Sequence, residues 1–158
     1  MASTIAPARL NVIIREQVTV NGTDYGGTTT YAAGGITEVS RRIITTHGTA
    51  STEVLRFWPS ASAGQFINTD VRYVRITNLD DANYVTLRFT GSGSTDYAFR
   101  LDPTGSHVIM TPQPSASDHM SGVTNYADIS GVTLTDLRAI GAIANSASVN
   151  LELFVASE

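Results

Sequence analysis

The amino-acid sequence predicts an all-β fold, a single-domain β-sandwich of jelly-roll-like type, and three observations lead to this prediction. Apolar and polar residues alternate in many short segments, which is the period of a strand with one buried face. Glycine, proline, asparagine and aspartate residues separate these segments at short intervals, as turns do. The chain has 158 residues and 21 threonines, which favours β structure in one domain.

The first part of the chain is predicted to contain an arm, a strand and a long loop. Residues 1–9 are expected to form an extended N-terminal arm, and residues 10–158 the sandwich domain. Apolar residues recur at every second position over Leu10–Val20, which predicts a half-buried strand. Glu16 interrupts this apolar face, where burial would raise the pKa of a carboxyl group, although a bulge or strand edge also explains such a residue. Five glycines and five threonines in residues 21–37 predict a long Gly/Thr-rich loop.

Eight further strands are predicted from the same alternation and from the turns that bound them. They cover residues 41–47, 52–58, 71–77, 85–89, 97–101, 108–111, 137–144 and 149–155. Residues 111–122 contain two prolines and are predicted to form a second flexible loop. Phe154 lies on the otherwise polar face of the last strand, which suggests contact with a partner.

Composition excludes several classes of protein. Charged residues make up only 15% of the chain and the formal net charge is −4, so no nucleic-acid partner is expected. The absence of cysteine excludes disulfides, thiolate metal sites and a cysteine nucleophile. No segment has the pattern of a signal peptide or a membrane span, so no membrane partner is expected. All ten basic residues are arginines, which reflects either codon usage or a surface used for protein contacts.

Residues with catalytic or metal-binding chemistry do not form a recognisable motif. The three histidines lie in unrelated local contexts: His47, His107 and His119. Asp80, Asp81 and Asn83 offer oxygen ligands but lack the spacing and the glutamate of a calcium loop, and turn formation explains them. We therefore predict no catalytic residue, no metal ligand and no cofactor.

Four segments in the second half of the chain carry a resemblance to a known group of proteins. These segments are Val71–Asp80, Asn83–Phe89, Tyr97–Gly105 and Val149–Val155. Their order of strands and turns resembles the small β-rich virion proteins of tailed bacteriophages, of the capsid decoration or cement type. The resemblance covers a little over half of the chain and does not extend to the residues before 70. It implies a structural, non-enzymatic role, and it carries over no catalytic residue.

The expected function is therefore that of a capsid decoration protein on the virion surface, made in the host cytoplasm. Its expected partners are the major capsid protein and further copies of itself, in a homotrimer or otherwise a dimer. The residues expected to make these contacts are Tyr25, Tyr31, Ile36, Arg88, Arg100 and Phe154. Two alternatives stay open, namely another phage tail, fibre or head–tail protein and a carbohydrate-binding sandwich. The second would require folding to gather the aromatic residues Trp58, Tyr25, Tyr31 and Tyr126.

Overall fold

The structure is a computed structural model that describes residues 5–92, 96–110 and 135–158. The predicted flexible loop over residues 111–122 and the first four residues of the predicted arm lie outside these ranges. Every helix or strand assigned in the described ranges is a strand, so the all-β prediction is confirmed. In the same ranges there is no helix with the length and apolarity that a membrane crossing requires.

The described ranges contain thirteen strands. They are β1 (Ala8–Glu16), β2 (Thr19–Val20), β3 (Thr23–Asp24), β4 (Gly27–Ile36), β5 (Glu38–Thr46), β6 (Thr52–Trp58), β7 (Phe66–Ile67), β8 (Val71–Asn78), β9 (Val85–Gly91), β10 (Asp96–Leu101), β11 (Ser106–Met110), β12 (Leu137–Ala144) and β13 (Val149–Ser157). The strands predicted at 52–58 and 137–144 match β6 and β12 from end to end. The short strand β7 was not predicted, because two residues are too few to show a period.

Two sheets pack face to face and form the sandwich. One sheet has the strand order β10-β9-β12-β6-β7 and the other has the order β11-β8-β13-β5. The pairings are antiparallel except that of β6 with β7. The main hydrophobic core lies between the sheets and takes buried side chains from both of them, including Leu87 of β9 and Leu151 of β13. Alternate residues of β9 and of β13 therefore point inward, as the period of two predicted; they are Val85, Leu87 and Phe89, and Val149, Leu151, Leu153 and Val155.

Phe89 lies in a part of this core where several aromatic rings meet. Its side chain is fully buried, and its ring stacks on that of Tyr97 with 4.7 Å between the ring centroids. The rings of Phe99 and His107 lie 5.6 Å and 5.3 Å from it. Burial among these rings lowers the pKa of His107, because the apolar surroundings disfavour the charged imidazolium.

The prediction of a long loop over residues 21–37 is wrong for most of that segment. Residues 27–36 form β4, which pairs with β1 over its whole length, and residues 23–24 form β3. Threonine favours strands, and the glycines at 34 and 35 are accommodated at a β-bulge. The extended arm is also shorter than predicted, because β1 already begins at Ala8.

Candidate interaction surface

The strands β1 and β4 form a long two-stranded antiparallel ribbon, separate from both sheets of the sandwich. Their pairing runs from Ala8 opposite Ile36 to Glu16 opposite Gly27. At the far end, β2 and β3 continue the hairpin, and Asn21 and Gly22 close it with φ angles of 51° and 79°. Positive φ at both central residues is the property of a type I′ turn, whose twist matches that of the flanking strands. We call residues 8–36 the ribbon.

A bulge near the base of the ribbon sets its direction. Ala8 pairs with Ile36, but Leu10 pairs with Ala33, so β4 contains one more residue than β1 over this step. Gly35 lies in this extra stretch with φ 77°, a conformation that residues with a Cβ rarely adopt. Such a bulge bends the strand that carries it. Because only Thr37 separates β4 from β5, the bulge lies at the junction between the ribbon and the four-stranded sheet.

The proximal part of the ribbon packs on the outer face of the four-stranded sheet. A second, smaller hydrophobic cluster contains Ala33 and Ile36 from the ribbon together with Tyr73 of β8 and Ala156 of β13. Partly buried apolar residues surround it: Leu10, Val12, Tyr31, Val108, Met110 and Phe154. The ribbon therefore covers part of the outer face of the four-stranded sheet.

Tyr31 is both an apolar contact and a polar anchor for the ribbon. Its hydroxyl group donates a hydrogen bond of 3.0 Å to the carbonyl oxygen of Arg72 on β8. Partial burial raises the pKa of Tyr31, while the positive charge of Arg72 acts in the opposite direction. The neutral hydroxyl group is the form that can donate this partly buried bond to a carbonyl oxygen.

The distal part of the ribbon, residues 13–30, is exposed along its whole length. Several of its exposed side chains are nevertheless large and apolar: Ile13, Ile14, Val18, Val20 and Tyr25. Ile13 and Tyr25 are each 67% exposed. An isolated two-stranded hairpin is only marginally stable in water, and exposed apolar surface of this kind marks interaction sites. The distal part is therefore the strongest candidate for contact with another molecule.

Glu152 and two arginines form an ion cluster on the same outer face. Glu152 is only 9% exposed, and its two carboxylate oxygens each lie 2.5 Å from a guanidinium nitrogen, of Arg41 and of Arg75. The hydrogen bond and charge of Arg41, followed by the charge of Arg75, hold the pKa of Glu152 below its usual range. This cluster links β5, β8 and β13, and each oxygen of the carboxylate has a guanidinium partner.

Acid is expected to weaken the fold through Glu152. The pKa of Glu152 is lower in the folded than in the unfolded chain. The ionised carboxylate therefore stabilises the fold fully above the ordinary glutamate pKa of about 4.3. The contribution is lost as the pH falls through the lower pKa of the folded chain. We expect Glu152→Gln to lower the melting temperature at pH 7 and to flatten its dependence on pH below about 4.5. Thermal unfolding followed by circular dichroism across pH 2.5–7 measures both effects.

Glu53→Gln is the matched control for this experiment. Glu53 also pairs with an arginine, Arg56, but both side chains are about half exposed. Solvent screens such a pair, so the substitution should change the melting temperature little. Equal effects of the two substitutions would contradict the role assigned to the Glu152 cluster.

The structure brings three of the six predicted contact residues, Tyr31, Ile36 and Phe154, into one cluster and places a fourth, Tyr25, at the far end of the ribbon. Tyr25, Tyr31 and Ile36 all lie on the ribbon, but only Tyr25 is exposed, since Tyr31 is partly buried and Ile36 is buried. Phe154 is also not the free aromatic residue that the sequence suggested. It is partly buried beside the ribbon, and its ring meets that of Tyr73 edge-on at 5.8 Å.

The other two predicted contact residues lie on the opposite side of the sandwich. Arg88 and Arg100 project from the outer face of the five-stranded sheet, where Arg88 forms an ion pair with Asp96. Arg100 lies 2.5 Å from the carboxylate of Asp102 and stacks over the ring of Tyr84. Both arginines thus find acidic partners within their own chain, a result of strand pairing and turn geometry.

Apart from Tyr25, the exposed apolar residues of the distal ribbon were not predicted as contact residues; they are Ile13, Ile14, Val18 and Val20. Val18 and Val20 lie on the face of the first strand that the sequence pattern predicts to be half-buried, and both are exposed. Asn21-Gly22 could have shown the hairpin, because Asn-Gly between strand-forming residues is the strongest short-range signal of a type I′ turn. Glu16, which was considered as a buried acid, is exposed in this same part of the ribbon.

The turn considered as a cation site is organised by its own backbone. One carboxylate oxygen of Asp80 accepts hydrogen bonds from the amide groups of Ala82 and Asn83, at 2.8 Å and 2.5 Å. These bonds lower the pKa of Asp80. In the ranges that the structure describes, no group of three or more histidine, aspartate or glutamate residues is placed to hold a metal ion.

The aromatic residues considered for carbohydrate binding do not share a surface in the described ranges. Trp58 lies on β6 with the guanidinium group of Arg138 over its ring at 5.1 Å. Tyr25 and Tyr31 belong to the ribbon, and Tyr126 lies outside the described residues.

Three comparisons with known proteins add no identification. No family model matches the chain, and neither curated proteins nor solved structures show a significant match.

Proposed function

We propose that the chain is a non-enzymatic structural protein of a virion, a capsid decoration or cement subunit on the outside of the shell. The observation that carries the proposal is the division of the molecule into a well-packed sandwich and an exposed apolar ribbon. A decoration subunit needs a rigid body and a projecting element that binds the shell. Residues 13–30 supply such an element, and the two-sheet core supplies the body.

The proposed partner of the distal ribbon is the major capsid protein. Ile13, Val18 and Tyr25 would lose their water contacts against an apolar strip of the shell, and burial of each stabilises the complex. A single hairpin of this size makes only a small contact. Repetition of that contact by the symmetry of the shell, together with contacts among the subunits themselves, would give the avidity that a cement protein requires.

The test is the protein content and the stability of purified particles of the virus that encodes the chain. We expect mass spectrometry to find the chain in these particles in many copies, and a mild chaotrope to release it. Particles without the chain should rupture at a lower temperature, and added recombinant chain should restore the original rupture temperature. Absence of the chain from the particles, or equal heat resistance with and without it, would refute the proposal.

A further inference from the structure

The ribbon is joined to the sandwich in a manner that allows it to leave. In the described ranges its two strands pair with each other, and neither belongs to a sheet of the sandwich. Its contacts with the body are side-chain contacts, and Leu10, Val12 and Tyr31 stay only partly buried in them. A groove of about 270 Å³ remains between the ribbon and the sheet, lined by Leu10, Val12, Tyr73 and Phe154 among others.

The connection at the base of the ribbon has the properties of a hinge. The bend that lays the ribbon on its own sheet depends on Gly35 in the left-handed region, at φ 77°. If Gly35 adopts an ordinary extended φ, the bulge is lost and β4 continues in the direction of β5. Rotation at Gly35 therefore moves residues 10–33 of the ribbon away from the sheet. The pairing from Leu10–Ala33 to Glu16–Gly27 and the pairing of β5 with β13 are kept, and the Ala8–Ile36 pair is given up.

The surface that would receive a ribbon from another molecule is already present. A ribbon that leaves its own sheet exposes the apolar side chains of Tyr73, Val108, Met110 and Phe154. The ribbon of a second copy carries the same residues that cover this face in the closed chain. It can therefore make the same contacts with this face between two chains that it makes within one chain. Exchange of an identical element is for this reason a low-cost route to oligomers.

We propose that the ribbon is exchanged between copies of this chain in a closed homo-oligomer. Each copy then lays its ribbon on the outer face of the four-stranded sheet of the next copy. The proposal rests on the hinge and the covered face alone, so it holds or fails independently of a role in a virion.

Substitution at the hinge tests this proposal. Gly35→Ala penalises the left-handed conformation of the closed form, and we expect it to raise the ratio of exchanged to closed chains about tenfold. The nearest atoms to the added methyl group belong to the exposed carboxylate end of Glu158, which can move. Gly34→Ala is the matched control, because nothing lies within 4 Å of the added carbon and its φ is not positive. Size-exclusion chromatography with light scattering measures the ratio.

Crosslinking identifies which contact holds the oligomer together. The chain has no cysteine, so single cysteines can be introduced without background, as Val12→Cys on the ribbon and Met110→Cys on β11. Both positions belong to the cluster beneath the ribbon. After the two variants are unfolded and refolded together, a short bis-maleimide should join one chain of each kind. Oligomers without this mixed crosslink would overturn the proposal, and so would a chain that stays monomeric at 100 µM in both the wild-type and Gly35→Ala forms.

Discussion

Replacing Phe89 by alanine is expected to lower the free energy of unfolding by about 3–5 kcal/mol. The side chain is fully buried between the two sheets and touches three other rings, so its removal leaves a cavity that rigid neighbours cannot fill. Domains of ordinary stability unfold with about 5–15 kcal/mol, so the variant should unfold at a much lower urea concentration. Urea titration followed by circular dichroism measures the difference.

Ile43→Ala is the matched control for the loss of a large apolar side chain. Ile43 lies on the edge strand β5 and is 63% exposed, so its removal creates no cavity. We expect a change within about 0.5 kcal/mol. A loss below about 1 kcal/mol for Phe89→Ala, against the expected cavity cost, would contradict the packing described for this core.

Strands of the sandwich were predictable because the information that specifies them is local. Val85, Leu87 and Phe89 alternate with outward-facing residues and are all buried, as this pattern predicts. Asp80 closes the preceding turn with bonds to amide groups two and three residues ahead, a property of aspartate that the sequence displays directly. Neither inference needs knowledge of distant parts of the chain.

The ribbon was not predictable in the same way, because its faces differ along its length. Leu10 and Ile14 have the same parity, but only Leu10 reaches the sheet below, so alternation does not indicate burial there. The bend depends on a bulge in β4 between the pairs Ala8–Ile36 and Leu10–Ala33, which is a property of the pairing and not of either strand alone. Arg88 likewise finds its acidic partner across a strand pair, where register decides which side chains meet.

If the chain is the decoration subunit proposed above, replacing Tyr25 by alanine is expected to reduce its affinity for virus particles at least tenfold while leaving its fold intact. Tyr25 is 67% exposed at the end of the ribbon, so the free energy of unfolding should change by no more than about 0.5 kcal/mol. Burial of an aromatic side chain in a complex contributes about 1.5–3 kcal/mol, and about 1.4 kcal/mol corresponds to a factor of ten in affinity. Cosedimentation with particles stripped of the chain measures the affinity.

Leu79→Ala is the control that distinguishes specific contact by the ribbon from nonspecific adsorption through any exposed apolar residue. Leu79 is also a large apolar residue, 47% exposed, but it lies in the turn between β8 and β9 and not on the ribbon. If the distal ribbon binds the shell, this variant should cosediment as the wild-type chain does, because its lost side chain is not in the contact. Equal loss of binding in the two variants, or full binding in both, would mean that the distal ribbon is not the element that holds the subunit to the shell.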